Sequence, residues 1–316
     1  MSDPASVQHL LATLEDATNL IKDYAVEASD GPVRSEPLPS LLEQCQALVH
    51  VDPQPLRSVH QFACTGGTLI SKLLAAMPNV TMLSEIDPLS PSNLILGSPK
   101  AGPRFQPTDV LYGARFAARP IDDDTVAAVF TASVETLHRE IGNRGGALVL
   151  RDHAHSQFCS DADWAARPTL RELLQRISVV KSVITVRHPL DSFLSLDKNG
   201  WRHFVPFAID TYATRYEAFL DRHMGVPIFK YEDFVANTDE TLAKICDALA
   251  LPFVDGTEQL LPIMRMSGDS GRSSNRISYR PRRDVPRAIL QQAKQSDAFK
   301  RLCETLGYPP SIDMAA

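Results

Sequence analysis

The sequence predicts a three-layer α/β fold, a mostly parallel central sheet flanked by helices, with a helical arm at its N-terminus. Two observations lead there. From Arg57 onward, short apolar runs alternate with helical patterns: SVHQF (58–62), VTMLS (80–84), GALVL (146–150), KSVITV (181–186) and VPIF (226–229). Helical stretches fall near 67–77, 125–143, 168–177, 189–198, 207–224 and 238–250. Near-continuous apolar strands separated by helices belong to a parallel sheet covered on both faces. The second observation is size: 316 residues, 44% hydrophobic and 22% charged, can bury a sizeable core and sit at the upper end of what one domain holds.

Before the alternation begins, Leu10, Leu11, Leu14, Ala17, Leu20, Ile21 and Tyr24 recur at helical spacing and mark one buried stripe. A linker, DGPVRSEPLP, and a second helical piece, SLLEQCQALV, complete an arm over residues 1–50, leaving 51–316 as the α/β domain. The arm packs either on its own domain or on a second subunit, which would give a homodimer through the N-terminal helices. Two segments interrupt the alternation, 87–120, rich in Pro, Gly and Ser, and 262–287, rich in Arg, Ser and Gly. Long irregular loops in a compact α/β domain are usually functional or disordered, and since ligands of open parallel sheets lie beyond the carboxyl ends of the strands, the first of these loops could lie over a site there.

Charge and cysteine content narrow the classes. A formal net charge of −6 disfavours nucleic acid as a partner, because that binding rests on a basic surface. Five scattered cysteines (Cys45, Cys64, Cys159, Cys246, Cys303), odd in number and without CxxC spacing, suggest neither a disulfide framework nor a zinc site. No signal-like start and no run of 18 apolar residues occurs, so we expect a cytoplasmic protein without a membrane span.

The turn from the first strand into the first helix reads ACTGGT, residues 63–68. Thr65, Gly66, Gly67 and Thr68 suit an anion: glycine lets the backbone approach closely, helix N-terminal N–H groups point outward, and the threonines add hydroxyls. A Walker A loop also needs a lysine directly after its last glycine, and here Lys72 comes six residues after Gly66, too far into the helix. At the end of the fourth strand, VITVRHPLDSFLSL places Arg187 at the strand terminus and Ser195 eight residues later, with Pro189 in the first helical turn. Arginine offers a bidentate fork for phosphate, and the serine a hydroxyl.

These elements together resemble the sulfotransferases dependent on 3′-phosphoadenosine 5′-phosphosulfate (PAPS), a P-loop-like α/β family. RHPLDSFLS is similar to the family's 3′-phosphate element, ACTGGT stands where its 5′-phosphosulfate loop lies, and KYEDFVANTDETLAKICDALALP is similar to its late Tyr-Glu-Asp segment. MSGDSGRSSNRI, with Ser270, Gly271 and Arg272, occupies the position of a loop that closes on the 3′-phosphate. The resemblance spans roughly 57–285. It implies PAPS as co-substrate, held by residues 64–68, Arg187, Ser195 and 270–272, no metal, and an acceptor that could be a small molecule, lipid, glycan or peptide. One position departs: Cys64 stands where the family carries lysine or arginine, with His60, Lys72, Arg151 and Arg272 as candidate substitutes.

Attack by an acceptor hydroxyl requires a base. His153 in LVLRDHAHSQF follows Arg151 by two residues, similar to the family's catalytic histidine, and an unperturbed imidazole titrates near neutrality. His155 is a neighbouring alternative, Asp152 could orient it, and Glu85, after the second strand, is the competing base. Asp87, before Pro88, reads as a turn residue. Two rival readings remain: a P-loop kinase or NTPase using Mg-ATP through Asp152, and a nucleotide-binding protein whose catalytic site has decayed at Cys64.

Overall fold

A computed structural model describes residues 8–9, 11–16, 18, 40, 54–90, 110–115, 118–119, 121–160, 163–264, 266, 277–278 and 281–310. The chain divides into two compact units, Met1–Gln54 and Pro55–Ala316. In the first, the described residues from 8 to 18 are helical; most of the expected second helical piece lies outside the described residues, as do 91–109 and Ser270, Gly271 and Arg272.

The second unit is built on one all-parallel sheet in the order β2-β3-β1-β4-β5. Its strands are β1 (Leu56–Gln61), β2 (Val80–Ile86), β3 (Ala147–Asp152), β4 (Val180–Val186) and β5 (Ile228–Lys230). The helices, in chain order, are α1 (Gly67–Ala75), α2 (Val110–Arg115), α3 (Asp123–Gly142), α4 (Ala154–Phe158), α5 (Leu170–Gln175) and α6 (Pro189–Lys198). They continue with α7 (Ile209–Arg222), α8 (Tyr231–Ala236), α9 (Thr238–Ala248), α10 (Arg287–Gln295) and α11 (Asp297–Thr305). No described helix is long and apolar enough to cross a membrane.

Alternation along the strands sorts side chains to two faces. Val59, Val149 and Val183 pack with Leu69, Ile70, Leu73 and Leu74 of α1 and with Leu242 and Ile245 of α9. Leu56, Leu148 and Leu150 face the other way, against α3 and α5, while Ile184 and Val186 meet α6, α7 and α11. Each fully buried aliphatic contributes about 1.5–3 kcal/mol relative to exposure, so both covering layers are held chiefly by burial. Arg57, only 1% exposed, points into the α1/α9 layer, where it donates to Leu249 O (2.8 Å) and Ala250 O (3.0 Å). It thereby satisfies carbonyls that α9 leaves open at its C-terminus.

Local chemistry sets several helix starts. Asp122 accepts from Thr125 N at 2.7 Å to cap α3, and Thr169 and Glu172 form a reciprocal capping box on α5. Pro189 occupies the first turn of α6, whose boundaries match the expected 189–198. The segment YEDFVA, read from sequence only as a motif, is α8. The helices α10 and α11 were not anticipated at all. The last strand is shorter than VPIF implied, although Pro227 O still accepts from Ile184 N at 2.9 Å.

Candidate functional site

Because the strands are parallel, all five carboxyl ends share one edge, and the loop after β1 sits there between the ends of β3 and β4. Cys64 and Gly66 both adopt left-handed backbone conformations, φ 62° and 86°. A Cβ on Gly66 would collide with the Tyr231 ring at a positive φ, so this position requires glycine, whereas one on Gly67 would displace the flexible end of Gln61. No side chain caps α1 and its first turn carries no acid, which leaves a helix N-terminus fit for an anion. The two threonines differ in role. Thr65, 1% exposed, donates its hydroxyl to Phe62 O at 3.0 Å and so fastens the loop. Thr68 Oγ1 accepts from Arg151 Nη2 at 2.8 Å.

The second half of the site comes from β4 and α6. The Arg187 guanidinium lies 5.4 Å from the centre of the Tyr231 ring, the same ring that covers Gly66. Ser195 Oγ donates to Asp191 O at 2.8 Å. A cleft lined by Arg187, Asp191, Leu194, Ser195, Tyr231, Pro281 and Arg283 lies between them. Arg282 donates from Nε to Asp191 Oδ1 at 3.1 Å and from Nη2 to Oδ2 at 3.3 Å, and both side chains are less than a tenth exposed. That pair anchors the tail of the Arg-rich segment to α6 and delivers Arg283 to the cleft. Sequence reasoning marked the segment but missed Arg283; the run PRRD just before α10 was the available signal.

Of the candidate cations among the described residues, Arg151 is the one that joins the loop. The Gln61 amide, with its oxygen turned toward Arg151, accepts from Nε at 2.9 Å. His60 is excluded: it is fully buried, burial drives its pKa down to about 3, and it is held by Asp152 and Ser58. Lys72 lies in α1, beyond the loop, and Arg272 is outside the described residues. Cys64 is a neutral thiol: burial pushes its pKa up to about 12, against the opposing pull of Arg187, so it is neither a cation substitute nor a nucleophile.

Glu85 and His153, considered as competitors, are hydrogen-bonded partners. A register shift between Leu83 and Ile86, with Glu85 at φ 62°, is a bulge that turns this carboxylate toward β3. Glu85 Oε1 accepts from Arg151 Nη1 at 2.5 Å, and Oε2 lies 3.0 Å from His153 Nε2. Burial by itself raises the Glu85 pKa, but the bonds from His153 and Arg151 outweigh it and hold the group below its ordinary value. His153 Nδ1 is buried without a hydrogen-bond partner. His155 is a half-buried ring whose pKa burial pushes down to about 3, packed against Trp201 and His203.

Asp152 and Asp87 differ from their sequence readings. Arg151 and Asp152 are successive strand residues and point to opposite faces: Arg151 reaches Thr68, while Asp152 Oδ2 is bonded to His60 at 2.9 Å behind the sheet. Asp152 therefore neither orients His153 nor offers a carboxylate to a metal at the loop. Asp87 is an anchor and not a plain turn residue, bonded to both Arg167 terminal nitrogens and to Ser156. Arg222 adds bonds to Glu172 (2.6 Å) and Arg167 O (3.2 Å), so Ser156 and Arg167 are both held to Asp87 just past the end of β2.

Fold and site thus define a P-loop-like α/β protein with an arginine-lined cleft at the carboxyl edge of its sheet. Residues 62–255 match the profile of the Sulfotransferase family, and the chain belongs to that family. Direct sequence comparison with curated proteins finds no match. Among solved structures, the sulfotransferase domain from the curacin biosynthetic pathway is 16% identical, covering 81% of this chain and 98% of its own, with a TM-score of 0.49. The sulfotransferase domain of the Synechococcus PCC 7002 olefin synthase is 18% identical, with coverages of 82% and 97% and a TM-score of 0.46. The mouse sulfotransferase SULT7A1, solved in complex with PAP, is 12% identical, with coverages of 84% and 94% and a TM-score of 0.39.

Proposed function

We propose that this sulfotransferase-family protein moves a sulfuryl group from PAPS to a hydroxyl or amine acceptor by in-line transfer. The observation that carries the reading is the convergence, at one sheet edge, of the Thr65–Thr68 loop with Arg187 and Ser195 on one side and the Arg151–Glu85–His153 chain on the other. In this reading the loop N–H groups bind the 5′-phosphosulfate, while Arg187, Ser195 and Arg283 bind the 3′-phosphate, with residues 270–272 as further contacts implied by the family resemblance. Arg151, already on Thr68, supplies the positive charge that Cys64 does not.

The depressed pKa of Glu85 suits an orienting carboxylate better than a base. Glu85 orients His153, whose side chain is 18% exposed at this edge, and that imidazole takes the acceptor's proton as its oxygen or nitrogen attacks sulfur and the bond from sulfur to the bridging phosphate oxygen breaks. A positioned base of this kind contributes typically 10²–10⁴-fold. The 156–168 segment and the loop after β2 shape the acceptor side, and a cytoplasmic setting is part of the same proposal. The test is conversion of PAPS to 3′-phosphoadenosine 5′-phosphate, followed chromatographically across phenol, alcohol and amine acceptors. His153→Ala should lower turnover by at least a hundredfold with donor binding kept; unchanged turnover would overturn the assignment of the base.

A further inference from the structure

On the face of the sheet opposite Arg151, three titratable side chains meet in the core. His60, Asp152 and His223 are 0%, 5% and 1% exposed, and one donor atom from each lies within 4.8 Å of the others. β1 supplies His60, the last residue of β3 supplies Asp152, and His223 caps the C-terminus of α7. His60 Nδ1 is 2.9 Å from Asp152 Oδ2, and His60 Nε2 is 2.9 Å from Ser58 Oγ, which is itself 2.8 Å from Ser182 Oγ. Serine, histidine and aspartate in this order have the connectivity of a hydrolytic triad, but Ser58 and His60 are wholly buried and no substrate reaches them.

His223 gives the cluster a different meaning. Its Nδ1 donates to Phe219 O at 2.7 Å, which fixes Nε2 as the lone-pair nitrogen, and that buried Nε2 has no hydrogen-bond partner. We propose that His60 Nδ1, His223 Nε2 and the Asp152 carboxylate bind one divalent first-row transition-metal ion, zinc in the first instance, as a clamp joining β1, β3 and the end of α7. Each imidazole already directs its outer nitrogen to an oxygen, Ser58 Oγ or Phe219 O, as metal-bound histidines do to set tautomer and ring orientation. Two imidazoles and a carboxylate, which can offer one or both oxygens, suit zinc or iron far better than magnesium. The ion also gives the Asp152 carboxylate, 5% exposed, a countercharge in the core. Coordination displaces the proton shared by His60 and Asp152, so uptake releases it to solvent. The site lies behind the sheet and takes no part in sulfuryl transfer, so it stands or falls independently of the donor assignment.

The experiment strips the full-length protein with a chelator, dialyses it against Zn²⁺ or Co²⁺, removes excess metal and measures bound metal by plasma mass spectrometry. One equivalent is expected, with cobalt showing visible ligand-field bands but no sulfur-to-metal charge transfer, and a melting midpoint several degrees higher that falls again on chelation. His223→Gln should keep the fold and lose the metal. No stoichiometric metal in the wild type would overturn the proposal and leave a metal-free hydrogen-bonded cluster. Bound metal with a thiolate charge-transfer band, or retained in folded His223→Gln, would place it elsewhere and overturn it too.

Discussion

Glu85→Gln keeps the shape of the side chain and removes its charge, at the point where two halves of the site depend on it. One carboxylate oxygen holds Arg151 at 2.5 Å and the other holds His153 at 3.0 Å; the Arg151 side chain is 3% exposed, so water cannot replace the lost countercharge. The amide oxygen can keep one of these bonds but the NH₂ group cannot accept the other. A charge-assisted bond contributes about 1.5–3 kcal/mol and leaving a buried charge unpaired costs about 3–5 kcal/mol, so with one bond retained the expected loss is about 2–3 kcal/mol. For a domain of this size that is a midpoint about 4–10 °C lower. The pH dependence has a definite sign. A carboxyl with a folded pKa below its unfolded value of about 4.5 contributes stability that is fully present above that value and is lost as pH falls through the lower folded value. Wild type and variant should therefore differ at pH 7 and converge in acid below about pH 4.5, measured by thermal unfolding across pH 3.5–7.5. Turnover should fall about 10–100-fold, since the imidazole loses its orienting partner. Equal midpoints at pH 7, or a gap that persists unchanged into acid, would refute the coupling of Arg151 and His153 through Glu85.

Arg283→Ala should weaken binding of 3′-phosphoadenosine 5′-phosphate by about tenfold to a hundredfold, the size of one charge-assisted bond, with the fold intact; calorimetry showing no change would remove Arg283 from the cleft's function. Cys64, with its thiol near 12, should resist iodoacetamide at pH 8 in the native protein and react readily after denaturation, and fast native labelling would contradict the neutral-thiol account. Asp152→Asn should retain donor-nucleotide binding, because its carboxylate faces His60 behind the sheet; loss of that binding in a folded variant would revive a metal-nucleotide role for this residue.

The parallel sheet was legible because each strand is a short run of β-branched and aliphatic residues bounded by helical periodicity, and both of its faces are buried. The first four strands and α6 fell close to their expected places for that reason. What local patterns cannot carry is which face a residue takes once a strand is irregular. The bulge at Ser84–Glu85 turned a presumed rival of His153 into its partner, and the pleat sent Asp152 away from the loop beside which the sequence had set it. The missing cation at Cys64 left four candidates; among the described ones the geometry joins Arg151 to the loop through Thr68 and Gln61 and buries His60 away from it. Arg282, Arg283 and Asp191 were invisible as a group because they are about 90 residues apart in the chain and are joined by a buried ion pair. The C-terminal helices were missed because they follow a long stretch rich in Arg, Ser and Gly that hid the return of helical periodicity.

The most direct test of the account titrates the protein with 3′-phosphoadenosine 5′-phosphate, with AMP, which lacks the 3′-phosphate, and with ATP plus Mg²⁺, in wild type and Arg187→Ala. The account predicts that the 3′,5′-bisphosphate binds at least tenfold more tightly than AMP, and that Arg187→Ala erases the difference. Binding of ATP only with Mg²⁺, or a preference for the bisphosphate that survives loss of Arg187, would contradict it.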